Sequence, residues 1–373
     1  MHVMKSIIVK YILVLFIIAL GTTSEKTYSQ VDIMGRLLTG GIDDAEKVSE
    51  AYLNPFIDAF SANLNSGWYT TAKPHSLFGF DITVSFNTAI VPSSAKSYDL
   101  ALLGLSGTIE PVGGGTTIAP TFSHSQTNDR PSLVYYEEFM GEQVELTRFR
   151  VPNGTGVGYI PAPMMQAGIG LPFDTDIIVR YLPDMTIGST GRIGLYGFGI
   201  KHSIKQWIPV IEKLPLINLS LMAGYTNFGT SSGIDLKPVD VEAEDLTTDN
   251  VNFSDQSFNL DVNSYTVNLI GSVDIPFFVA YGAVGFTSNT ANLKMKGYYP
   301  IPTLDPADGA VIVTDESVVR KDPVDITVQG DANKYVPRYN FGVTFKFGVL
   351  HLNIDYTYAY YSVASVGLAL SVR

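Results

Sequence analysis

The chain has 373 residues, a net charge of −12 and no cysteine, which excludes disulfides, cysteine metal sites and a thiol nucleophile. An acidic balance also excludes nucleic acid as a natural partner, since phosphates demand a basic patch. Charged residues make up only 16% and hydrophobic residues 46%, against roughly 25% charged in soluble domains, yet past the N-terminus no apolar run of about 18 residues offers a helical membrane span.

In chain order, residues 1–29 read as a cleaved export signal. Lys5 and Lys10 form a basic start, residues 11–20 an apolar core, and Thr27 and Ser29 the small positions before a cut at Gln30. Translation from Met4 instead of Met1 leaves this signal unchanged.

Residues 43–64 predict the one long helix. Val48, Tyr52, Phe56, Phe60 and Leu64 recur every four residues, and Asp43 and Asp44 suit its first turn. Pro55 falls inside, so a break or kink is expected near Asn54. Asn65, Ser66 and Gly67 end the helix, because Gly tolerates the left-handed conformation. Trp68 and Tyr69 are then expected at the membrane interface, where the chain enters the wall. We assign residues 30–76 to an N-terminal helical plug. Tyr52, Asn54, Pro55, Phe56, Trp68 and Tyr69 are its candidate ligand or gating residues.

Residues 77–373 read as an antiparallel transmembrane β-barrel of an all-β membrane protein. In residues 78–87, Phe78, Phe80, Ile82, Val84 and Phe86 alternate with Gly79, Asp81, Thr83, Ser85 and Asn87. Further strands are predicted at 144–151, 164–171, 176–181, 191–202, 216–228, 261–275, 277–288 and within 321–330. Three more end the chain. Phe341, Val343, Phe345 and Phe347 share a face; so do Leu350, Leu352, Ile354, Tyr356 and Tyr358; so do Val366, Leu368, Leu370 and Val372. The opposite faces carry Thr344, His351, Asn353, Asp355 and Thr357. One greasy and one polar face per strand suits lipid outside and a wet lumen inside. Asp81, Thr83, His351, Asn353 and Asp355 are therefore predicted to line a wet lumen. Allowing for missed segments, the total is 12 to 14 strands, and an even number is expected. A short interfacial helix is predicted at 206–214, with Trp207 and Ile208 at lipid or the rim.

Turns such as Gly348 and Pro276 are short, whereas 229–260 and 299–335 are long, and the long loops are expected to face outward. Residues 235–261 carry eight carboxylates with only Lys237 opposed. Clustered oxygens can hold Ca²⁺, but no calcium-loop spacing is present, and a solvated acidic loop is the reading adopted. Residues 229–233 match the Gly-x-Ser-x-Gly string, which needs a following helix that the sequence does not offer. The histidines lack metal-ligand spacing. Neither an enzyme, a metal site nor a cofactor is expected.

Several stretches together resemble the long-chain fatty-acid transporter (FadL-like) superfamily, and more closely an uncharacterised family of bacterial outer-membrane barrels. They are residues 51–56, 64–69, Lys73-Pro74-His75 into Gly79-Phe80-Asp81, and residues 196–202 with Gln206-Trp207-Ile208-Pro209. The Asn54-Pro55 pair resembles the Asn-Pro of that superfamily's plug, although Phe56 stands where a small residue is usual. The resemblance implies a plugged barrel in a Gram-negative outer membrane. Its implied role is a channel or transporter for a small, hydrophobic solute. The alternative is a non-transporting structural or partner-binding barrel of a surface complex. The partners expected are membrane lipid, a small hydrophobic ligand or detergent in the lumen, and proteins bound through the long acidic loops.

Overall fold

The computed structural model describes residues 42–107, 109–112, 115–187, 191–233, 245–247, 251–300, 303–314, 319–322, 324–328 and 335–372. The expected signal segment, the first part of the expected plug and, within the acidic stretch 235–261, residues 235–244 and 248–250 lie outside the described residues.

Ten strands form the wall: β1 (Phe80–Ile90), β2 (Tyr159–Leu171), β3 (Thr175–Ile187), β4 (Gly191–Ser203), β5 (Ile217–Gly233), β6 (Ser257–Ile275), β7 (Phe278–Lys296), β8 (Val336–Phe347), β9 (Leu350–Tyr358) and β10 (Ser362–Val372). Each pairs antiparallel with its neighbours, and β1 pairs with β10 from Phe80↔Val372 to Ile90↔Ser362, which closes the ring. Closure leaves no edge strand, so the ring's N–H and C=O groups pair between neighbours as a bilayer demands, except that β2 and β3 pair only from Gln166↔Arg180 to Leu171↔Thr175 and part above that level among the described residues. No helix among the described residues is long and apolar enough to cross a membrane.

Ten is fewer than the 12 to 14 strands expected. Two counted segments have strand patterns but lie outside the ring. Glu142–Arg150 pairs with Ser132–Phe139 in a separate sheet of the long β1–β2 connection. Val324–Val328 pairs only with the far end of β7, at Ala291–Met295. Alternation reports a strand with two unlike faces; it does not report ring membership.

The alternation does set the facing. Along β10 odd positions such as Val363, Ser365 and Ser371 are buried, while Val366, Leu368, Leu370 and Val372 are exposed. On β1 the exposed set is Phe80, Ile82, Val84 and Phe86. This outward belt ends in aromatics on both sides. Tyr159, Tyr181, Tyr196, Tyr265, Tyr339 and Tyr358 mark one boundary, and Phe173, Trp207, Phe277 and Phe347 the other. From Tyr265 to Val273 the tilted strand rises roughly 20 Å, near the ~25 Å apolar band of such barrels.

The Phe boundary carries the short turns, including Pro276-Phe277 and Gly348-Val349, and the free ends of β1 and β10. The Tyr boundary carries the long connections. The wall is uneven at that end: β6 and β7 each have 19 residues, whereas β9 has 9.

The helix, α1 (Ile42–Leu64), runs without a break through Pro55. The break expected at Asn54 is absent. Pro55 removes one helical bond, but that turn is held from outside: Phe122 N–H donates to the Tyr52 carbonyl at 3.0 Å. Gly67, at φ +71°, sits just past the helix as expected. The predicted short helix near 206–214 is a 3-10 turn, Lys205–Trp207, followed by one α turn, Pro209–Glu212, with Trp207 exposed.

An arginine on the lipid face of β10, Leu368→Arg, is expected to cost ~2–4 kcal/mol near the bilayer midplane. Urea unfolding in lipid vesicles checks this. A substitution that leaves stability unchanged would refute the assigned facing.

Candidate functional site

The helix and the segment after it lie inside the ring. α1 is buried on nearly every side: Val48, Tyr52, Ile57, Phe60 and Leu64 on its apolar stripe, but also Asp44, Ser49, Asp58, Ser61 and Asn63. Only a helix enclosed by wall and loops buries its polar face too. Its upper half packs on the β1–β2 connection. Phe56 lies 4.9 Å from the Phe122 ring, and Tyr52 donates to the Asn153 carbonyl at 2.8 Å. Burial pushes the Tyr52 phenol above its ordinary range. Phe60 meets Phe228 of β5 at 4.5 Å.

From Asn63 in the last turn of α1 the chain descends the lumen to Gly79, hydrogen-bonding β1 through β8 on the way. Asn87 of β1 donates to the Asn63 carbonyl at 3.2 Å, and Asn63 donates to the Ile160 carbonyl of β2 at 2.6 Å. Arg180 of β3 reaches the carbonyls of Leu64 and Ser66, each at 2.7 Å. Lys201 of β4 reaches the Lys73 carbonyl at 3.4 Å, and Ser220 of β5 the Ala72 carbonyl. Thr71 donates to Asp274 of β6 at 2.8 Å, and Asn65 to Asn289 of β7 at 2.9 Å. Arg338 of β8 reaches the Asn65 carbonyl, and Thr344 the Thr70 carbonyl at 2.8 Å.

Two fully enclosed arginines dominate this list of contacts. Arg180 is 0% exposed and Arg338 3%. The carbonyls they bind belong to the last turn of α1 and the residues just past it. Those carbonyls have no partner within the helix and form the negative end of its dipole. The arginines thus cap the helix from two sides of the wall. Arg180 also lies 3.6 Å from the Trp68 ring centre, a cation–π contact worth about 2 kcal/mol when desolvated.

Trp68 and Tyr69 are therefore not at the membrane interface. They are 1% and 6% exposed and fill the lumen, Tyr69 edge-on to Tyr281. Gly199 and Gly224, facing partners on β4 and β5, make the room: a Cβ on either would come within 2.8 Å of Trp68. Of the plug candidates, Tyr52, Phe56, Trp68 and Tyr69 are placed against loop or wall, Pro55 is buried, and Asn54 is half-buried beside it.

The inward residues also differ from expectation in one respect. Thr83, His351, Asn353 and Asp355 do face inward but are 2–8% exposed, so the interior beside them is packed, not wet. Asn353 accepts from Thr344, and Asp355 accepts from Asn340 at 2.9 Å. The plug occupies the volume that a wet lumen needs. Asp81 is half-buried and belongs to a lower cluster. His75 lies 3.4 Å from Asp81 and 3.1 Å from Asp176, which also pairs with Lys201 at 2.9 Å. This cluster fastens the bottom of the plug. Among the described residues no group of carboxylates, histidines or cysteines is arranged to hold a metal ion. The Gly229–Gly233 string continues strand β5 and forms no strand-to-helix turn.

Arg180, Arg338, Lys201 and Asp176 were absent from the predicted site. The inward parity of Asp176, Arg180 and Lys201 within strand patterns was readable, whereas Arg338 precedes the predicted C-terminal strands; the carbonyls that Arg180, Arg338 and Lys201 bind have no sequence signature, and neither does the pairing of Asp176 with His75 and Lys201.

Removing Arg180 leaves two buried carbonyls without their charged donors, at about 1.5–3 kcal/mol each. Arg180→Ala is expected to loosen the plug and raise ion conductance in planar bilayers, with the wall still heat-modifiable on gels. A variant as tightly closed as the parent would refute the latch. Gly199→Val is expected to act likewise by displacing Trp68. By contrast Gly271→Ala, whose Cβ would meet only Leu219 at 4.0 Å, is expected within ~0.5 kcal/mol of the parent on unfolding.

No curated protein matches the sequence. Among solved structures, the chain is similar to the outer-membrane protease OmpT of Escherichia coli, at 10% identity over 81% of this chain and 100% of that one, with a TM-score of 0.30. It is also similar to the TodX monoaromatic hydrocarbon channel, at 9% identity over 80% and 68%, TM-score 0.25. The KdgM porin matches at 7% identity over 78% and 99%, TM-score 0.19. Likenesses this distant carry no functional argument, and the activities named are those proteins' own. A family model described as "Family of unknown function (DUF6588)" matches residues 4–372, and the chain belongs to that family.

Proposed function

We propose that the protein is an outer-membrane transport barrel, exported by a cleaved signal, that admits a small, largely apolar solute past a movable plug. One observation carries this reading. A cavity of about 290 Å³ lies between α1 and the wall, lined by Asp58 and Ala62 of the helix, Thr287 and Asn289 of β7, Val336 of β8, and Tyr360 with its neighbours in the β9–β10 turn. It sits where the wall steps down, since β8–β10 end at this level while β7 continues upward. A dry apolar cavity of ~150 Å³ already holds benzene, so this one suits a solute of one or two rings. Tyr360 and Val336 supply apolar contact, and Asn289 a polar group that fixes orientation.

The cavity and the latch share a residue. Asn289 lines the cavity and accepts from Asn65 at 2.9 Å. A solute competing for Asn289 withdraws one of the bonds that hold the plug. The plug candidates Tyr52, Asn54, Pro55 and Phe56 lie on the same helix, which is the part of the chain whose Asn-Pro resembles the fatty-acid transporters. That resemblance supports a hydrophobic cargo and no particular molecule.

The second reading is a closed barrel that serves as an anchor for protein partners. The bonding of the plug to β1 through β8 favours it, and the outward sheets of the long connections supply the surface.

Because the chain has no cysteine, Asn65→Cys with Asn289→Cys gives a single engineered pair that ties plug to wall. In liposomes, uptake of a one-ring aromatic probe is expected with the pair reduced and lost on oxidation. Equal uptake in both states would refute a moving plug. No uptake by the parent protein would favour the anchor.

A further inference from the structure

A second concavity lies on the outer face of the wall, with a volume of about 490 Å³, across β3, β4, β5 and β6. Its floor is a pair of facing glycines, Gly194 and Gly229. Two carboxylates lean over that floor: Asp184 Oδ1 stands 2.0 Å from where a Cβ of Gly194 would be, and Asp261 Oδ1 3.3 Å from that of Gly229. Asp184 reaches this position through a break in the β3–β4 register between Leu182 and Met185. A glycine pair under a bulge gives a β-wall depth that an ordinary pleat lacks.

The level of the groove is as telling as its shape. Tyr181 and Tyr196 form its lower rim and belong to the aromatic boundary. Below them the outward positions are Val179, Phe198 and Ile200; above them they are Arg192, Ser231, Asn259 and Asp261. The groove therefore begins where acyl chains end and headgroups start. Its side walls are preset: Asn227 donates to Asn263 at 3.0 Å, and Tyr225 to the same oxygen at 2.7 Å.

The chemistry selects among headgroups. Asp184 and Asp261 outnumber the one cation of the lining, Arg192, so the groove does not favour a bare phosphate, while the carboxylates accept from hydroxyls, which a sugar ring offers in number. Asn227, Asn259 and Ser231 add donors and acceptors, and the Tyr181 and Tyr196 rings add flat apolar faces for a pyranose. We propose that this groove binds the sugar headgroup of a glycolipid in the leaflet beside the long connections. Binding here is independent of whether a solute crosses the lumen.

The test uses the full mature barrel in detergent and native mass spectrometry with three probes: lipopolysaccharide, its deacylated oligosaccharide, and phosphatidylglycerol. The parent is expected to retain lipopolysaccharide and, more weakly, the free oligosaccharide, and to prefer both to phosphatidylglycerol. Gly229→Leu, which fills the floor, is expected to weaken retention at least tenfold. Asn259→Ala with Asp261→Asn leaves the backbone untouched and is expected to act in the same direction, so a folding failure of the first variant does not decide the matter. Heat-modifiable migration confirms the fold of each. Retention of phosphatidylglycerol equal to lipopolysaccharide, loss of all binding on deacylation, or parent-like retention by the folded variants would overturn the proposal.

Discussion

The capping of α1 by Arg180 and Arg338 is the interaction on which the interior depends. A helix that ends inside a barrel presents unsatisfied carbonyls where no bulk water can reach them, and each such group costs 1–3 kcal/mol. Two guanidiniums from different parts of the wall meet those carbonyls at Leu64, Asn65 and Ser66. The same contact resolves the opposite problem, two buried cations whose hydrogen-bond acceptors are neutral oxygens, with the Trp68 ring beside one of them. Removing either side strands the other, so plug and wall stabilise each other without a surplus of apolar area.

The rest of the lumen follows from that anchor. With the helix end fixed, Trp68 must lie beside Arg180, and only glycine at 199 and 224 leaves it space. Below it, Thr71, Lys73 and His75 fall opposite Asp274, Lys201 and Asp176. Above it, the helix meets the β1–β2 connection, whose apolar residues merge with the helix into one core. The small cavity by Asn289 is the gap left where the short strands β8–β10 no longer face the helix.

Much of this fold was legible in the sequence, for identifiable reasons. A two-residue period with aromatics on one parity has few structural uses, so wall facing, the C-terminal strands and the helix limits could be read from residues such as Phe341, Tyr356 and Leu64. Ring membership was not legible, because 144–151 and 324–328 alternate as the wall does but pair elsewhere. Nor was the state of the lumen: Asp355 on an inward face looks the same whether it meets water or Asn340. Trp68 misled for a related reason. Tryptophan is common at membrane boundaries, and nothing local in Ser66-Gly67-Trp68 reveals glycines more than a hundred residues away.

The position of the plug also constrains the order of assembly. The chain passes down the lumen before β1 begins, while the seam that completes the ring joins β1 to β10, the last strand. A helix bearing Phe60 and a following stretch bearing Trp68 and Tyr69 cannot be threaded through a ring already shut around Arg180 and Arg338. The open sheet must wrap a segment already laid against it. The N-terminal stretch then acts as an internal template, and the seam is the final step that traps it.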